Sequence, residues 1–206
     1  IAVRVAAYFA AKVGMHLNNA VWKAKRNVAG NKTENLFDGF DTIIEKEVTD
    51  EKLSVAKGNL FQFDAAINNT TATEQLKEFY RKANDMLRGR ECNLYIPQSV
   101  YDAYVDDYQV RHGALPYNTE FDKLTLEGSA GKCKLVVLSN MADSKYLKIT
   151  TKQNLLFGTD INAQENKANI AKYSSWVLTF EMAGVYGTQI RSLSPEELFV
   201  GKLHVE

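Results

Sequence analysis

Apolar residues recur at three- and four-residue spacing through the first half of the chain, and a two-residue alternation takes over beyond Pro116. Arg4, Tyr8, Lys12, His16, Asn19 and Lys23 line one narrow helical stripe, and the rest of that circumference is apolar. The pattern predicts a helix over residues 1–22, about 30 Å long at ~1.5 Å per residue. A polar stripe this thin implies burial on most sides, against a sheet built largely from residues after Lys145. A polar, Gly-containing loop over Asn27–Asn35 follows. A second helix is expected from about Asp41 to Val48, with Asp38 or Asp41 accepting from its free N–H groups and Ile43, Ile44 and Val48 as its buried stripe. Trp22 should cover the end of the first helix by packing near Phe37, Phe40 or Ile44.

Leu53–Phe63 reads as extended, broken at Gly58, and Asn68-Asn69-Thr70-Thr71 as a loop. Thr71 and Glu74 then form a capping box, followed by Leu76, Phe79, Tyr80, Ala83, Met86 and Leu87 on one face, with Gly89 as the stop. Cys92–Ile96 reads as a short buried strand. Pro97 opens another helix, with Val100, Tyr101, Tyr104, Val105 and Tyr108 on one side and Gly113 as its terminator. Leu124–Leu126 and Lys134–Leu138 flank a Gly128–Gly131 turn, a hairpin pattern. Further strands are expected at Tyr146–Thr150, Asn154–Phe157, Trp176–Met182, Val185–Ile190 and Phe199–Val205. Helices first and strands afterwards make the chain α+β, and no Pro- or Ser-rich linker or internal repeat divides it.

Composition changes this picture only at a few points. With 206 residues, 45% hydrophobic and 24% charged, the chain can bury a substantial core. Twenty-five basic residues balance twenty-five acidic ones, which argues against a dedicated nucleic-acid binder and suits a surface that meets copies of itself. Arg4 and Lys12 interrupt the first apolar run and no cleavage-site pattern follows, so neither a signal peptide nor a membrane span is expected. Cys92 and Cys133 form no CxxC pair and read as two reduced, part-buried thiols. The chain begins at Ile1 without Met, so it is expected to be a fragment of a longer product.

Candidate chemistry is thin. Gly128-Ser129-Ala130-Gly131-Lys132 lacks the first glycine of a phosphate loop and has Cys133 where Ser or Thr should bind magnesium, so it reads as a hairpin turn. His16, His112 and His204 have no second ligand at i+3 or i+4, which leaves no metal site. A Cys-His nucleophile, Cys92 or Cys133 with His112, is formally available, but both cysteines sit in or beside apolar strands. Asp102, Asp106 and Asp107 lie opposite the Tyr/Val face of their helix and read as an acidic face that is solvated or meets a basic neighbour, rather than as a weak cation site. Lys23, Lys25 and Arg26 make a small basic knot beside Trp22. The tyrosines and phenylalanines sit mostly at core-facing positions. No enzyme motif and no cofactor is expected.

In order, "AAKVGMHLNNAVWKAKRN…LFDGFDTIIEKEV", "NLYIPQSVYDAYVDDYQVRHGALPYN", "LTLEGSAGKCKLVVLSNMADSKYLKIT", "KQNLLFGTD" and "WVLTFEMAGVYGTQI" resemble tailed-phage major capsid proteins of the Hong-Kong-97 type. The resemblance spans nearly the whole chain, through loose motifs whose weight lies in their order. The family's N-terminal arm and extended loop, which lap over neighbouring subunits, are missing. No residue can be matched to the Lys–Asn cross-link of some relatives.

The resemblance implies a Hong-Kong-97-type capsid fold with a spine helix, a peripheral lobe and an axial lobe. Residues 1–49 would be peripheral, 50–144 axial, 145–183 the peripheral-lobe sheet, and 184–206 a return to the axial lobe. It implies a structural head protein of a phage or prophage, assembling as pentamers and hexamers into an icosahedral shell. Its partners would be copies of itself, other phage head proteins and, non-specifically, the packaged DNA, with no membrane. Its place would be the virion, and the bacterial cytoplasm during assembly. The polar run Thr159–Lys167 should be a projecting hairpin tip, and the resemblance puts Asp160, Asn162, Glu165 and Lys167 at a subunit interface. Three alternatives stand beside this reading. One is an encapsulin-like compartment shell, which encloses enzymes and is separable by genome neighbours. The others are a small Cys-His hydrolase or transferase and a monomeric binding module built on the aromatic residues.

Overall fold

The computed structural model describes residues 2–112, 124–159, 168–174, 177–182 and 184–204. They divide into two compact units, residues 1–42 with 156–189 and residues 43–155 with 190–206.

The second unit is built on a five-stranded mixed sheet in the order β1-β9-β4-β2-β3. Its strands are β1 (Leu60–Gln62), β2 (Cys92–Pro97), β3 (Cys133–Leu138), β4 (Tyr146–Thr150) and β9 (Leu198–Lys202). β1 runs parallel to β9 and β2 parallel to β3, while β4 is antiparallel to both β2 and β9. Helices α3 (Ala72–Lys82) and α5 (Gln98–His112) pack against each other, and α5 also against β2 and β3. Leu76, Phe79, Leu94, Ile96, Tyr104, Leu147, Ile149 and Phe199 share one buried cluster. Phe79 lies 5.1 Å from Phe199, stacked, and 5.4 Å from Phe63. Gly201 of β9 is required there, since a Cβ would stand 2.7 Å from the Phe63 ring.

Several expectations change in this unit. The helix expected to run to Gly89 breaks at Ala83, and a short α4 (Asp85–Arg88) restarts with Asn84 accepting from the Met86 N–H at 2.8 Å. Thr71 makes no cap; Asn68 Oδ1 instead accepts from Thr70 N–H and from the Thr70 and Thr71 hydroxyls. The N-terminus of α3 is capped from α5, where Asp107 accepts from the Thr73 N–H at 2.7 Å. Asp107 is therefore buried, not part of a solvated acidic face; Asp102 and Asp106 are exposed. Tyr146–Thr150, expected beside the later strands, hydrogen-bonds to β2 and β9 because every one of its residues is buried and both edges need partners.

The first unit holds α1 (Ala2–Lys23) and two separate ribbons. β5 (Leu155–Thr159) pairs with β8 (Tyr186–Ile190), and β6 (Ala168–Ser174) pairs antiparallel with β7 (Val177–Met182). β6 was not expected as a strand, because its polar start reads as loop. α2 (Phe40–Thr49) carries the chain from the first unit into the second. The long helix forms as predicted, and the burial does not. Its described side chains up to His16 are exposed except a half-buried Val13, and full burial begins at Ala20. Helical periodicity reports an apolar face; it cannot report whether the same chain covers it.

Candidate functional site

The most tightly specified feature of the first unit is the end of α1. Ala20, Ala24 and Phe37 form a buried nucleus, with Leu17, Val21 and Tyr186 packed on it. Trp22, 7% exposed, sets its ring 5.3 Å from Phe40, as its position predicts. The chain turns back through Leu36-Phe37-Asp38-Gly39 to meet this helix end. Gly39 donates to Ala24 O at 2.7 Å, and a Cβ there would lie 2.7 Å from the Trp22 carbonyl and 2.8 Å from Ala20 O. Only glycine allows that approach. Asp38, expected to cap α2, instead accepts from the Arg26 N–H at 2.8 Å, and its carbonyl accepts from the Thr188 hydroxyl. Thr42 adds a bond to Ala24 O at 2.7 Å.

Outside this nucleus the first unit presents apolar side chains to solvent. On α1 these are Val5, Tyr8 (60% exposed), Phe9 and Met15, with Lys12 Nζ 5.8 Å above the Tyr8 ring. On the β5–β8 ribbon, Phe157 stacks on Tyr186 at 6.2 Å and meets Phe37 edge-on at 6.2 Å. Leu156, Phe157 and Val185 nevertheless stay exposed, along a groove of about 450 Å³. Tyr173, 79% exposed, lies near the end of β6, and the exposed Val177 begins β7.

The residues expected at the interface, Asp160, Asn162, Glu165 and Lys167, lie outside the described residues, as does most of the Thr159–Lys167 run. Lys23, Lys25 and Arg26 are exposed.

In the second unit the Gly128–Gly131 segment is a tight turn: Ser129 N–H and its hydroxyl both donate to Leu126 O, and Leu126 N–H donates to Cys133 O at 2.9 Å. Thr125 pairs antiparallel with Lys134, so the hairpin reading of this stretch holds as a single bridge. Tyr104 Oη accepts from the Glu127 N–H at 3.1 Å, and burial pushes that phenol up to about 12. His16 and His204 are exposed. Among the described residues no three His, Cys, Asp or Glu side chains gather as a metal site. None of the described helices is long and apolar enough to cross a membrane. Cys92 and Cys133, far apart in sequence, are both buried free thiols facing each other across β2 and β3.

No protein-family model matches the chain. No curated protein matches it either. Among solved structures, a virus-like particle from Pyrococcus furiosus superposes with a TM-score of 0.39 at 12% identity. That alignment covers 78% of this chain and 62% of the other, so the chain spans less than two thirds of that protein's length.

Proposed function

We propose that the chain is a structural, non-enzymatic shell subunit of the tailed-phage head type, which completes the packing of its first unit on neighbouring copies. One observation carries this reading. Among the described residues, most of the large apolar side chains left in solvent belong to the first unit, on α1 and the ribbons, while the second unit closes its own core. Exposed apolar surface of this kind marks a surface that meets a partner. The order of elements supports it too: a long helix, a glycine turn at its end, a helix-backed sheet, two ribbons, and a last strand returning to the sheet.

A closed shell repeats one contact set at many symmetry-related positions, so modest interfaces suffice. The balanced charge, twenty-five of each sign, lets copies approach without strong self-repulsion. The enclosed DNA would be held non-specifically, and Asp160, Asn162, Glu165 and Lys167 would add polar contacts between copies. Electron microscopy and sedimentation of the full-length product expressed alone test the reading. Capsomers or closed particles are the expected result. A monomer persisting across the accessible concentration range overturns it.

A further inference from the structure

We propose that Cys92 and Cys133 form a reversible disulfide, made by exchange with a small-molecule disulfide such as oxidised glutathione, that staples β2 to β3. The geometry is that of a matched pair. Each cysteine is the first residue of its strand, the strands are parallel, and the two residues are register partners. Register partners point to the same face, and both thiols enter the same buried cluster, 2% and 0% exposed. Neighbouring strands stand about 4.7–4.9 Å apart, inside the Cα separations of about 4.4–6.8 Å that a disulfide spans. Thiol–disulfide exchange runs in both directions with the ratio of oxidised to reduced small thiol, so the bridge can reopen as it forms.

The surroundings favour the exchange. A hydrogen bond from the Cys133 thiol and the nearby Arg90 charge lower the Cys92 thiol below its ordinary range, against its burial. The same bond, with burial, pushes Cys133 up. Either sulfur of the pair can open the exchange, and it runs as follows from Cys92, beside the Arg90 charge, with Cys133 resolving. The pair adjoins the 127–132 turn, exposed except at Ser129 and left-handed at Gly128, Ala130 and Gly131. Opening of that turn admits the oxidant. The Cys92 thiolate, its proton released to water, attacks one sulfur of glutathione disulfide and expels a glutathione thiolate. Cys133 then gives up its proton to that thiolate and attacks the Cys92 sulfur, expelling the second thiolate, which takes a proton from water. Two protein thiols lose two electrons, and one glutathione disulfide becomes two thiols.

The test equilibrates the folded chain with increasing ratios of oxidised to reduced glutathione, then quenches with acid, alkylates under denaturing conditions and maps peptides without reduction. The expected product has lost two hydrogens, resists alkylation and yields one peptide pair joined through Cys92 and Cys133. Restoring reduced glutathione to the folded protein should reopen it. Cys92→Ser and Cys133→Ser should each acquire at most one glutathione. The proposal is overturned if the folded wild type keeps two alkylatable thiols where the urea-unfolded chain is oxidised. Separate glutathione adducts on both cysteines, a bridge only between copies, or a bridge that opens only after unfolding would overturn it equally.

Discussion

The two units satisfy their apolar residues in different ways. In the second, every strand of the sheet has buried residues, and the buried Asn154 is tied down: it donates to Thr150 Oγ1 and Ser192 O, each at 3.0 Å, and accepts from the Ser192 N–H at 2.8 Å. In the first, a small nucleus of Ala20, Ala24 and Phe37 holds the end of one helix while most of that helix stands in solvent. In proteins most helical stability comes from packing of an apolar face, and most of the described face of α1 has none. The contrast teaches that one unit buries its apolar residues within itself, whereas the other leaves many of its described ones in solvent.

The largest effects should come from two buried aromatic residues, one in each unit. Phe79→Ala removes a fully buried ring and should cost about 3–5 kcal/mol in urea unfolding. Trp22→Ala should cost a comparable amount of about 3–5 kcal/mol, but hydrogen exchange should place the loss differently, at Ala20–Lys23 and not in β2 or β4. Equal loosening of both units by Trp22→Ala would break the distinction. Gly39→Ala comes next, at about 1–3 kcal/mol, since its methyl group meets the Trp22 carbonyl at 2.7 Å. A melting temperature unchanged in that variant would show that the turn can give way freely.

Asp107 tests the self-sufficiency of the second unit through pH. Burial pushes its carboxyl up, but the Arg111 bond at 2.7 Å and the Thr73 N–H together outweigh it and hold the group below its ordinary value. A carboxyl depressed by folding stabilises the protein above its unfolded pKa of about 3.9. That contribution is lost as pH falls from there through the folded value. Asp107→Asn should therefore cost about 1–2 kcal/mol at neutral pH, as loss of a helix cap does. The difference from wild type should shrink as pH falls from about 4, where the unfolded chain begins to bind the proton, through the lower folded value. A constant gap across that range would mean the carboxylate charge is irrelevant to the cap.

Local features of this fold were legible in the sequence, and non-local ones were not. The extent of α1 follows from spacing and residue type, which act within a few residues, and the packing of Trp22 near Phe40 follows from its place between an apolar helix and a polar loop. Asp107 sits opposite the Tyr/Val face of its own helix, so it reads as solvated; its partner Thr73 is thirty-four positions away. The Cys92–Cys133 pairing and the place of Tyr146–Thr150 between β2 and β9 depend on sheet register, which no local pattern encodes. The same limit hides what covers α1. An apolar stripe looks identical whether its cover lies in the same chain or in the next copy. The interface residues expected on polarity, from Asp160 to Lys167, fall outside the described residues, so the exposed apolar side chains carry the site instead.

The smallest expected effect on folding belongs to that exposed surface and tests the comparison most directly. Tyr8→Ser with Phe9→Ser removes two rings that are 60% and 41% exposed and 5.8 Å apart, edge to face. Surface substitutions of this kind usually shift stability by no more than about 0.5 kcal/mol, so urea midpoints of the subunit should hardly move. Particle yield in the full-length context should fall instead, because each ring would be removed from every repeated contact at once. Amide exchange gives a second readout: residues 4–16 of wild type should be poorly protected in the dissociated subunit and become protected on assembly. A double variant that assembles normally, with α1 equally protected before and after assembly, would show that this helix needs no neighbour. The difference between the units would then be one of exposure alone, without bearing on assembly.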